Sequence, residues 1–201
     1  MPTKWFFTGL VVVFLAGSAA FGGLNDVPAP PVPEIDAGES FTGAELRIQP
    51  ERASLIDGFP EQGILPEEGK RLLVVVAEVE NVWDEPVSTL DKIGAGDNIR
   101  PRGVTGLDAE SAPLTVAVLS DGTERPELQP RVPVELAFIW EVDPDAVQGD
   151  TLTVDLYDKS YRAEGFVTYG ERFENPFVAA SSDLPLKDVG EGTAPADGSD
   201  G

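Results

Sequence analysis

The chain has 201 residues, 41% hydrophobic and 25% charged, which leaves room for one well-filled globular domain with appendages. Histidine and cysteine are both absent. Their absence excludes catalytic triads, Cys–His dyads, thiolate or imidazole metal centres, disulfides and a lipidated N-terminal cysteine.

The 36 acidic residues outnumber the 14 basic ones and give a net charge of −22. Such a surface repels nucleic acid and anionic lipid headgroups. It keeps the chain soluble and favours cations or basic partners.

The N-terminal run Trp5–Leu24 carries no charge over 20 residues, just enough helix to cross a hydrocarbon core. Its densest part, Trp5–Ala16, also has the length of a signal-peptide core, and Ser18-Ala19-Ala20 resembles a cleavage site. Residues 1–24 are therefore a signal anchor or a signal peptide. The first makes a single-pass membrane protein; the second makes a protein secreted after cleavage near Ala20. Lys4 precedes the run and no basic residue follows until Arg47. That asymmetry predicts the C-terminal bulk outside the cytoplasmic membrane in both cases. Residues 25–40 contain four prolines and four acids in 16 positions, the composition of an extended, self-repelling linker.

From 41 to 182 the dominant signal is period-2 alternation, the signature of half-buried strands. Leu46 and Ile48 open the domain. Leu73, Val75, Ala77 and Val79 follow, opposed by Glu78 and Glu80 only late in the run, as expected of a central strand. Leu114, Val116 and Val118 give a short strand. Val132, Val134, Leu136, Phe138, Trp140 and Val142 give a long one with a single buried face, and Trp140 is the natural core residue. Leu152, Val154 and Leu156 alternate with Thr153, Asp155 and Tyr157, and Phe166–Tyr169 is expected to close the fold. Turn signals separate these runs at Gly94–Asp97, Asp121-Gly122, Asp143-Pro144 and Gly149-Asp150. No capped 3.6-residue period intervenes. The pattern predicts an all-β, antiparallel immunoglobulin-like sandwich of about seven strands, preceded by one N-terminal hydrophobic helix. Residues 183–201, rich in Gly, Asp, Ala and Pro, are expected to form a disordered acidic tail.

Three segments carry a family resemblance: LLVVVAEVENVWDEPV (72–87), PELQPRVPVELAFIWEVDPDA (126–146) and DTLTVDLYDKSY (150–161). They resemble bacterial extracytoplasmic immunoglobulin-like domains of unknown function, found on lipoproteins and membrane-anchored surface proteins. The shared features are a hydrophobic strand ending in Asn before a loop, and a Leu-x-Pro turn leading into a strand that ends in Trp or Phe. The resemblance spans about two thirds of the chain and implies fold and location but no catalytic residues. The lipidated cysteine of the lipoprotein members is absent here.

Two residue sets are candidate sites. Asp143, Asp145 and Asp150 share one turn and offer clustered carboxylates to a calcium ion, although turn-forming alone accounts for them. Trp83, Tyr157 and Tyr161 offer an aromatic platform for a sugar or wall polymer; the alternative is cover for a strand edge. The carboxylate pair Glu78/Glu80 lies on an exposed strand face rather than in a cleft, which argues against glycoside hydrolysis. No glycine-rich loop leads from a strand into a helix to hold phosphate. The sequence therefore predicts a non-enzymatic envelope module with no cofactor, bound to the membrane through residues 5–24 and to another envelope protein. A polymer-binding module and a calcium-dependent adhesion module are the alternatives.

Overall fold

The computed structural model describes residues 31–89, 94–163 and 172–190, together with Thr8, residues 11–15 and Gly17. Residues 11–15 are helical. Among the described residues no helix is long and apolar enough to cross a membrane. Most of Trp5–Leu24, residues 25–30 of the linker, Phe166–Tyr169 and residues 191–201 lie outside the described residues.

Eleven strands are described: β1 (Glu34–Ile35), β2 (Phe41–Thr42), β3 (Leu46–Ile56), β4 (Arg71–Asn81), β5 (Val87–Ser88), β6 (Ile99–Arg102), β7 (Thr115–Val118), β8 (Glu127–Leu128), β9 (Pro133–Val142), β10 (Thr151–Arg162) and β11 (Arg172–Gly190). One sheet runs β6-β10-β11, with β1 added beside β11. The other runs β11-β3-β4-β9-β7, with β2 on β3. A small β5–β8 ladder stands apart. The two sheets pack as a β-sandwich over one core. Leu152, Val154 and Leu156 of β10 meet Leu73, Val75 and Ala77 of β4 and Leu136, Phe138 and Trp140 of β9.

Of the strands expected from alternation, those at Leu46–Ile48, Leu73–Val79, Val134–Val142 and Leu152–Leu156 form, whereas Leu114 and Val132 lie outside the strands and exposed, and β9 is buried on both faces rather than one, since Ala137 and Ile139 are buried too. Trp140 is 1% exposed, stacks on Phe138 with centroids 6.5 Å apart, and donates its indole N–H to Ser111 O at 3.0 Å. That bond satisfies the one polar atom the ring takes inside. β4 is central, between β3 and β9. Its second apolar face, Leu72, Val74 and Val76, is covered with Ala137 and Ile139 by Ile56 at the end of β3 and by Phe59 and Ile64 of the turn between β3 and β4. Phe59 and Ile64 exchange backbone hydrogen bonds of 2.8 and 3.1 Å, which fold that turn back over the sheet.

Three expectations are corrected. The sandwich is mixed rather than antiparallel, because β1 and β3 both run parallel to β11. The linker does not stay outside the fold, because Glu34 and Ile35 pair with Ser181 and Ser182. The ladder cannot continue upstream, since Pro33 has no N–H and contributes only its carbonyl, to Ser181 N at 2.9 Å. The tail does not begin at 183 either. Leu184 and Leu186 are buried while Asp183, Pro185 and Lys187 face out, a period-2 pattern that carries β11 to Gly190.

β11 changes sheets at Pro185. Through Pro185 it pairs with β10, ending at the Thr151–Pro185 partners; from Leu186 it pairs with β3. Pro185 has no N–H for a ladder, and the last bond on the β10 side runs from Leu186 N–H to Asp150 O at 2.8 Å, after which the chain crosses to the second sheet. Arg71 of β4 fixes the far end. Its guanidinium grips Asp188 at 2.7 and 2.8 Å and Asp57 at 2.6 Å.

Two predictions follow from β11. Leu184→Ala should cost about 2–5 kcal/mol in a urea titration, as in a packed core; a disordered tail would lose nothing. The Arg71 hydrogen bond, with help from Gly190 N–H, lowers the Asp188 carboxyl to about 2. A lowered acid adds stability above its unfolded value and loses it as the proton returns, here as pH falls from about 4 towards 2. Asp188→Asn should therefore lose less stability than the parent over that window. Equal losses would remove this bond from the acid limb.

Candidate functional site

Trp83, Tyr161 and Phe173 form an aromatic corner at one end of the sandwich. Trp83 lies 5.0 Å from Tyr161 at 46° and 5.2 Å from Phe173 at 90°, centroid to centroid; Tyr161 and Phe173 lie 5.5 Å apart at 51°. Tyr161 and Phe173 are directly paired across β10 and β11. Trp83 reaches them from the turn after β4. Tyr161 is 41% exposed and the other two rings are half-buried.

Asn81 builds that turn. It is fully buried at the end of β4. Its Oδ1 accepts the Trp83 N–H at 2.9 Å, and its Nδ2 donates to Glu85 O at 2.7 Å and Leu128 O at 2.9 Å. An amide suits this position because it offers an acceptor and two donors at once.

The Trp83 turn is joined to a buried ion pair. Lys159 Nζ donates to Glu45 Oε2 at 3.2 Å and to Gly94 O at 2.9 Å, with both side chains at most 5% exposed. Burial pushes the Glu45 carboxyl up, opposed by the attraction of Lys159. Glu45 also accepts Val82 N–H through its backbone carbonyl at 3.0 Å, joining the pair to the Trp83 turn. Next to it, Asp158 Oδ1 accepts Ala44 N–H at 2.9 Å. Gly43 makes this approach possible, because a Cβ there would stand 2.5 Å from the Asp158 carboxylate.

Tyr157, expected in the platform, is not in it. Four residues at about 3.3 Å each separate it from Tyr161, and two bulges intervene between β10 and β11. It sits instead on the polar outer face of the first sheet. Burial raises its phenol, aided by Asp155 and opposed by Arg100 and Arg102. That face carries a cleft of about 690 Å³ lined by Glu34, Asp36, Arg102, Thr153, Ser181 and Asp183. Arg102 stands 3.0 Å from Asp155, and Thr153 Oγ1 donates to Asp183 at 2.6 Å.

The expected calcium set does not form. Lys70 Nζ takes the Asp143 carboxylate at 2.6 Å. Ala146, 4% exposed, draws the turn inwards, while Asp145 and Asp150 stay in solvent. Among the described residues no three acidic side chains group closely enough to hold a metal ion. The Glu78/Glu80 pair is split as well, since Glu80 takes Arg47.

Phe173 and Asn81 were not among the sequence candidates. Asn81 had a signal, as the polar residue that ends an apolar strand just before Trp83. Phe173 had none, because its place depends on pairing with Tyr161, twelve positions earlier.

No family model matches the chain, and no curated protein does. Among solved structures it is similar to an uncharacterised β-sandwich protein from Clostridium difficile 630, at 11% identity and a TM-score of 0.46, covering 80% of this chain and 99% of that one. It is also similar to a candidate lipoprotein from Staphylococcus aureus subsp. aureus NCTC 8325, at 12% identity and a TM-score of 0.43, covering 77% and 95%.

Asn81→Asp tests how the corner is held. It replaces two donors by a carboxylate facing the Glu85 and Leu128 carbonyls, and should cost about 1–3 kcal/mol or more in a denaturant titration. A variant as stable as the parent would show that the Trp83 turn stands without the amide.

Proposed function

We propose that this chain is a non-enzymatic binding module of the cell envelope, and that it docks another envelope protein through the Trp83–Tyr161–Phe173 corner. In this reading Trp5–Leu24 anchors it, the proline-rich linker holds the sandwich outside the cytoplasmic membrane, and the sandwich is an immunoglobulin-like relative. The aromatic corner carries the reading. Partly exposed Trp and Tyr on a braced turn are the side chains that dominate protein interfaces. The rings meet at 46°, 90° and 51° and share no common plane. A protein pocket fits such a knob better than a flat sugar face does. Anchorage would confine both partners to one surface and raise their effective concentration.

The test is crosslinking in intact cells from a benzophenone amino acid in place of Asp84, which is 89% exposed beside Trp83. We expect a discrete adduct with one envelope protein. Trp83→Ala should weaken that interaction by about 2 kcal/mol, or roughly 30-fold, as expected of an interface anchor. Adducts untouched by Trp83→Ala, or none with any protein while wall polymer retains the chain, would overturn the reading and favour polymer binding.

A further inference from the structure

The described sandwich begins and ends on strands that run the same way. β1 lies parallel to β11 at Glu34–Ser181 and Ile35–Ser182, and the end of β11 lies parallel to β3 from Leu186–Ala53 to Gly190–Ile56. The geometry decides how the domain bears load. Tension between residue 32 and residue 189 draws β1 one way and the end of β11 the other. Strands that are parallel and pulled from opposite ends slide past each other, so their hydrogen bonds are strained together. An antiparallel pair pulled from one end opens its bonds one at a time.

The same end of β11 is fastened further. The Arg71 guanidinium holds both Asp188 oxygens at 2.7 and 2.8 Å and reaches Asp57 at 2.6 Å. Asp57 N–H donates to Gly190 O at 3.2 Å. A forked arginine–carboxylate contact resists sliding because both bonds must break together. The buried Leu184 and Leu186 must also leave the core before the strand can move.

We propose that β1, β3, the end of β11 and the Arg71–Asp188–Asp57 contact form a mechanical clamp, making the sandwich a load-bearing tether between its two ends. The inference rests on the strand directions and the Arg71 contacts, and holds whichever partner the aromatic corner takes.

Single-molecule force spectroscopy on the full chain in detergent tests it. The chain has no native cysteine, so two introduced thiols define the pulling axis. Val32→Cys with Val189→Cys loads the parallel strands; both residues are exposed. Asp84→Cys with Arg131→Cys loads the antiparallel β4–β9 pair from its Glu80–Pro133 end, where both residues are also exposed. The first axis should need at least about twice the unfolding force of the second, since forced unfolding reads the barrier along the pulling path. Arg71→Ala should lower the force on the first axis and leave the second unchanged. Equal forces on the two axes would overturn the clamp. An equal drop on both axes in Arg71→Ala would remove the arginine from it.

Discussion

β11 is shared between the two sheets, and the rest of the sandwich depends on that sharing. Its first part extends the sheet of β10, and its last residues close the sheet of β3. With no cysteine to staple the layers, the core and this strand hold the two sheets together. Leu184 and Leu186 flank the crossing residue Pro185 and bury their side chains, so the strand stays fastened to the core on both sides of the crossing. Arg71 then fixes the emerging end. Sequence, packing and electrostatics converge on the five residues Leu184–Asp188 of one strand.

The opposite end of β10 and the start of β11 carry the aromatic corner. There the polar groups that build and adjoin the Trp83 turn are paired. Asn81 spends both donors and its acceptor on the turn that presents Trp83, and Lys159 meets Glu45 in a nearly dry site. A buried ion pair is a weak source of net stability, but removing one partner strands the other, so it fixes which segments lie together. Here it joins β10, the residue just before β3 and the Gly94 turn. A braced corner that leaves Tyr161 in solvent is a surface prepared for contact.

The central strands were legible in the sequence because a core-facing row writes a period of two: Leu136, Phe138 and Trp140 on β9, and Leu152, Val154 and Leu156 on β10; that Ala137 and Ile139 bury the other face of β9 as well was not. The two-faced start of β4 correctly marked it as central. Long-range choices were not legible. Leu184 and Leu186 alternate, but within a stretch whose composition reads as a tail, and their places depend on distant partners, Leu152 of β10 for Leu184 and Ala53 of β3 for Leu186. Glu34 and Ile35 are ordinary residues in a proline-rich run until β11 arrives beside them. Tyr157 and Tyr161 share a parity, yet bulges and distance put them on different surfaces. Phe173 joined the site only through pairing. Local patterns wrote the strands; the pairing of distant strands wrote the site.

The aromatic corner as a docking surface is the claim on which the functional account stands. Hydrogen–deuterium exchange of the purified chain, with and without envelope membranes from its own cells, tests it most directly. The account predicts slower exchange in peptides covering the Trp83 turn and the Tyr161 and Phe173 ends of β10 and β11, with the outer cleft at Thr153 and Asp183 unchanged. Protection confined to that cleft, or none at the corner, would contradict it.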